Sequence, residues 1–371
     1  MKKTAFIFLF VLLMNTCCFA ASPVEELANQ FELDLLQQNI PPSAQEMADE
    51  LSLDDLSMGK LLTISPQTLW DILTRHFTNT VATYKKELLS ILASVLLCAI
   101  LSVLGKNTPA SSVFGLISVL SITTILSGPV LYCLEQGARS IRACAQFMLV
   151  YVPVYATVVA TGGAPTTAAV YHSVLMIAAQ IVSQLAAGVF LPMTQSYMML
   201  SLAGGIGNNV GIVMTCGAIK KIINWGLVMV MTAFTGLLSL QSFLTSAADG
   251  AAIKTAKFLV GSFIPVVGSV LTDALSAMQG SLHIIKASVG SFGILVAVLT
   301  FLPVLLRITV LRAVVAIAAI MGEMLSVTPV KGILSGFSNL LSIMTAILLS
   351  MMMLLVISTA VMLSLTGGTG T

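Results

Sequence analysis

Charged side chains are what this sequence has least of. Asp, Glu, Lys and Arg make up 9% of its 371 residues, against 57% hydrophobic. Soluble globular domains carry roughly a quarter charged residues. No water-soluble fold covers so much apolar side chain, so lipid is the solvent for most of this chain. Acid is scarcest of all beyond residue 90, where only Glu135, Asp249, Asp273 and Glu323 remain. The net charge of +2 therefore hides an acidic head and a weakly basic body, a balance that does not suit nucleic-acid binding.

Chemical motifs are missing too. There is no CxxC pair, no HExxH, no Walker loop, no Ser/His/Asp frame and no pair of close carboxylates. These absences argue against a metal site, nucleotide hydrolysis and nucleophilic catalysis. The chain is expected to be no enzyme and to take no cofactor; energy, if used, comes from another protein. "GGIGNN" at 204–209 has the glycines of a phosphate loop but lacks its lysine and its strand-to-helix setting. Glycine in a membrane segment more often permits close helix packing. Cys98, Cys133, Cys144 and Cys216 sit in or beside apolar runs and read as small buried hydrophobes. Cys17 and Cys18 follow "MNT", which is no lipobox.

What is present begins with a leader. Lys2 and Lys3 precede the short apolar stretch "TAFIFLFVLLMNT", and small residues then allow cleavage between Ala20 and Ala21. This reads as a secretory signal peptide over 1–20, with an uncleaved first membrane helix as the alternative. Residues 21–86 form an acidic helical region. Ser43 and Glu46 suggest a capping box, Gly59 a turn, and Ser65-Pro66 a helix start. From Leu69 to Leu88 an amphipathic stripe runs into the first apolar segment. His76 on that stripe has no partner at ligand spacing. A head this small is marginal alone and is expected to dock on the body or on a partner.

The body reads as apolar runs near 87–104, 113–134, 147–161, 166–191, 197–218, 222–244, 258–272, 288–306, 308–326 and 337–364. Most have the length of about 20 residues that crosses a bilayer. The runs 147–161 and 258–272 are short with central prolines; short crossings, re-entrant hairpins and kinked helices all fit them. The stretch 273–287 is too polar for lipid contact.

Two frames repeat. "HSVLMIAAQIVSQLAAGVFLP" opens at His172 and closes at Pro192; "HIIKASVGSFGILVAVLTFLP" opens at His283 and closes at Pro303. Lys220 and Lys331 keep the same offset of about 111 residues. The body therefore divides into a first transmembrane hairpin at 87–135 and two copies, 145–245 and 256–360, unless the matches are chance in so Leu- and Ala-rich a chain. Copied membrane bundles often pack about a pseudo-two-fold axis. The positive-inside rule places Lys106, Lys220, Lys221 and Lys331 in the cytoplasm. With the head outside and four crossings per copy, those lysines all fall inside, but Arg139 and Arg142 fall outside, against the rule.

Ionisable residues within apolar runs are costly and raise a functional suspicion. His172, Asp273, His283, Lys286, Arg307, Arg312 and Glu323 are the candidates. Asp273 could pair with Lys286, and Arg312 with Glu323, the latter only through bending or across to another helix. Interfacial snorkelling or structural pairing competes with a proton or solute pathway.

The cleavable leader, the acidic head and the polytopic body together resemble the stage III sporulation protein AE family of endospore-forming bacteria. The most specific stretches are "FIPVVGSVLTDALSAMQGSLHIIKASVGSFGILVAV" and "LPVLLRITVLRAVVAIAAIMGE". The resemblance implies a subunit of a channel or secretion-like complex in the mother-cell membrane around the forespore. It implies an ATPase, ring-forming proteins and small membrane subunits as partners, and no catalytic residues. The fold expected is all-α: a polytopic membrane protein with a small helical extracytoplasmic N-terminal region and a duplicated membrane body. The competing expectation is a stand-alone secondary transporter.

Overall fold

Backbone polar groups in hydrocarbon are satisfied within one segment only by a helix, and the computed structural model of the chain is helical almost throughout. It describes residues 33–50, 85–105, 111–207, 210–263, 268–324 and 328–364, with the single positions 74, 78 and 82. Two short helices come first, α1 (Leu33–Gln38) and α2 (Pro42–Glu50), followed by α3 (Lys85–Gly105) and α4 (Ser111–Thr161). Then α5 (Pro165–Leu185) runs through a π-helical turn, Ala186–Phe190, into α6 (Leu191–Gly207). The remaining arms are α7 (Val210–Phe263), α8 (Gly268–Met324) and α9 (Thr328–Ser364). No strand occurs among the described residues.

Brief connections force successive arms to run antiparallel. Helix α9 lies against α8, α7, α6 and α4 and is the most deeply buried span; α7 is the least buried. Five described stretches are long and apolar enough to cross a membrane: Gly115–Thr161, Pro165–Gly204, Gly211–Gln241, Leu282–Met324 and Val330–Leu363. The arms far exceed that need. Helix α8 has 57 residues, or about 86 Å at the helical rise, against about 30 Å of hydrocarbon.

Several separate apolar runs merge. The runs 113–134 and 147–161 share α4, and 288–306 and 308–326 share α8. Arg139 and Arg142 therefore mark no loop. Arg139 instead meets Glu135 one turn away at 2.6 Å on an exposed face, so α4 carries its polar residues without breaking. The run 147–161 is the end of a continuous helix despite Pro153.

The head docks on the body: α1 lies against α4, and α2 against α8, burying Leu36, Ile40, Ala44 and Met47. Its capping differs from the expected box. The Pro41 carbonyl accepts from the Ala44 and Gln45 N–H groups at 2.8 and 3.0 Å. Helix α2 thus starts at Pro42, whose fixed φ suits the first helical position. Ser43 falls inside the helix, and its hydroxyl has no partner. The leader with Ala20 and Ala21, Gly59, Ser65-Pro66 and His76 lie outside the described residues. Of the glycines in 204–209, Gly204 serves close packing: a Cβ there would stand 3.0 Å from Ile212 of α7.

Candidate functional site

Helix α5 begins without a cap of its own. Gly163 turns the chain at φ 93, a left-handed conformation favouring glycine. Pro165 then starts the helix, and Ala164 offers no side-chain oxygen. The next N–H groups are orphans of the helix start. Asp249, on α7, supplies what they lack: the Thr166 N–H donates to Oδ1 at 3.0 Å and the Thr167 N–H to Oδ2 at 2.8 Å. The side chains of both threonines also favour the charged carboxylate. Asp249 is 4% exposed, so a carboxylate from one arm is sealed onto the positive end of another. Burial pushes its pKa up, but the donors from Thr167 and Thr166 outweigh burial and hold it below the ordinary value.

The opposite charge comes from α8. Lys286 is 3% exposed and lies within electrostatic reach of Asp249. Beside this cluster, spacing of four residues along α4 stacks Phe147 on Tyr151 and Tyr151 on Tyr155, each pair with ring centroids 5.4 Å apart. Tyr171 of α5 meets Tyr155 edge-on at 5.9 Å, and Phe292 of α8 tilts against Phe147 at 6.3 Å. The Tyr151 hydroxyl donates to the Val289 carbonyl at 3.4 Å. Gly293, one turn further along α8, leaves room for that ring. The Tyr155 hydroxyl is buried without a hydrogen bond. Four arms, α4, α5, α7 and α8, are thus tied by one charge cluster and one aromatic column.

The expected site residues distribute differently. Lys286 belongs to the cluster, and Asp273 stands elsewhere along the same helix. Both lie on continuous α8, about 20 Å apart along the axis. Arg312 and Glu323 share that helix too, about 16 Å apart, and Glu323 pairs instead with Lys331 across the α8–α9 turn on an exposed surface. Arg307 stacks its guanidinium 4.9 Å over the Tyr132 ring of α4. His172 is half-buried on α5, and His283 is exposed on α8. Asp249 was not among the candidates. Its signal was available: it is one of four acids beyond residue 90, set among small residues in "SAADGAA". No three His, Cys, Asp or Glu side chains converge as a metal site among the described residues.

The arms, their apolar length and their buried charge define an all-helical membrane protein. The chain belongs to the stage III sporulation protein AE family, whose model matches residues 49–366. It is 23% identical over 238 residues to the stage III sporulation protein AE of Bacillus subtilis (strain 168). That match covers 63% of this chain and 59% of the relative's length. No solved structure matches the chain.

Proposed function

We propose that the chain is an integral membrane subunit of a channel or secretion-like complex between mother cell and forespore, acting there as pore or export platform. The observation that carries this reading is the family match across nearly the whole helical body, joined to arms of membrane length. In this reading the protein sits in the mother-cell membrane around the forespore. Its acidic head faces the space between the membranes, where ring-forming partners meet it; an ATPase and small membrane subunits complete the assembly. The antiparallel order of α3 to α9 supports that orientation. It brings Lys220, Lys221 and Lys331 to one end. The duplicated body, 145–245 and 256–360, belongs to this reading as well. Both His-to-Pro frames lie along the first arm of a helix pair, although the hairpin turns do not keep the same offset.

The test has two arms. Deleting the gene from its endospore-forming host stalls late forespore gene expression, and the purified chain in vesicles shows no solute or proton flux alone. A stand-alone transporter is the second reading, favoured by the sealed Asp249–Lys286 cluster. Flux from the purified wild type that disappears in Asp249→Asn would establish that reading and remove the first.

A further inference from the structure

The hairpin formed by α6 and the start of α7 joins the bundle through two weak places at the same height. On the first arm, the π-helical turn Ala186–Phe190 is followed at once by Pro192. The wider turn interrupts the α-helical ladder. Pro192 has no N–H, so it offers no donor to the turn before it. Sharp bends in helices occur at such breaks. Gly188, inside the turn, has no heavy atom within 4 Å of where a Cβ would stand, which leaves room on that side. On the second arm, Gly226 faces this joint: a Cβ there would lie 3.1 Å from Cζ of Phe190. Pro192 and Gly226 both stand about 22–24 Å from the α6–α7 turn by helical rise.

The two sides of this level are held differently. Above it, α5 is fixed by the Asp249 carboxylate and the aromatic column. Below it, the hairpin is held against α9. Lys220 Nζ donates to Asn339 Oδ1 at 2.7 Å, and Ser201 fits against Gly336. Helix α9 has no proline beyond its first turn and crosses the level unbroken. The outer face of the hairpin carries Val213, Met214, Ile222 and Trp225, all exposed.

We propose that residues 191–207 and 210–226 form a hinged flap that swings away from α9 about the joint at 186–192 on one arm and Gly226 on the other, with the Lys220–Asn339 hydrogen bond as its latch. Swinging parts the bundle from the end that holds the α6–α7 turn and leaves the Asp249 end closed. The device stands whether the protein is a complex subunit or a transporter.

Double electron–electron resonance on the full-length protein in detergent tests this, with native cysteines replaced by alanine. One pair of nitroxides stands on Met214 of the flap and Ile320 of α8. A control pair stands on Ile177 and Leu240, above the level; all four positions are exposed. In Asn339→Ala the flap pair gains a longer distance whose share at least doubles over wild type, while the control pair does not move. Pro192→Ala narrows the flap distribution. The inference is overturned if the flap pair in Asn339→Ala is as narrow as the control, or if both pairs broaden alike. Should Pro192→Ala fail to fold, the wild type and Asn339→Ala decide the matter.

Discussion

Asp249 satisfies two backbone donors of another arm, so its loss strands both at once. Asp249→Ala is expected to cost about 3 kcal/mol, because two buried backbone donors lose their acceptor at about 1–3 kcal/mol each, read as a lowered midpoint of thermal unfolding in detergent. The pH dependence follows from the direction of the shift. A carboxyl held below its ordinary value contributes stability that is fully present above about pH 5 and is lost as pH falls below about 4. Asp249→Asn is expected to flatten that acid limb. Glycines give a second residue-scale test. A Cβ on Gly293 runs into the Tyr151 ring, whereas one on Gly236 meets nothing within 4 Å. Gly293→Ala is expected to destabilise by about 1–3 kcal/mol. Gly236→Ala is expected to be neutral or stabilising by up to about 1 kcal/mol through helix propensity. Equal effects would contradict the packing described.

At the scale of elements, the docking of α1 and α2 is the testable feature. Met47 is 2% exposed where α2 meets α8. Met47→Asp buries a charge without a partner, so α1 and α2 should detach and become sensitive to limited proteolysis while the bundle stays intact. Cleavage at the wild-type rate would show that the contact contributes little. The apolar arms were legible in the sequence because hydrocarbon demands runs of fixed length. Their continuity was not. Glu135, Arg139 and Arg142 read as a loop between two crossings, yet a charge with a partner one turn away is compatible with an unbroken helix. Asp249 itself stands out as one of four acids beyond residue 90, but its partners do not. Its partners lie more than 80 positions away in the chain, and no spacing rule links an aspartate to bare N–H groups at a distant helix start. The π-turn left no mark in the sequence beyond Pro192 itself.

For the whole molecule, antiparallel arms fix which residues share a side. Single cysteines at Lys220 and Lys331, labelled with a membrane-impermeant reagent, are expected to react from the same face of intact vesicles. A cysteine at Lys254, near the far end of α7, is expected to react from the opposite face. Labelling of Lys220 and Lys331 from opposite faces would contradict the order of the arms. The family match and the apolar arms together describe a membrane-spanning member of the stage III sporulation protein AE family.

Cys98, Cys133, Cys144 and Cys216 are all buried thiols outside any disulfide, one on α3, two on α4 and one on α7. In the native protein these sulfurs are screened from alkylating reagents, so each acts as a built-in clock for the opening of its own segment. Cys216 lies within residues 210–226, and a swinging hairpin would make it the first of the four to be modified, well ahead of Cys133.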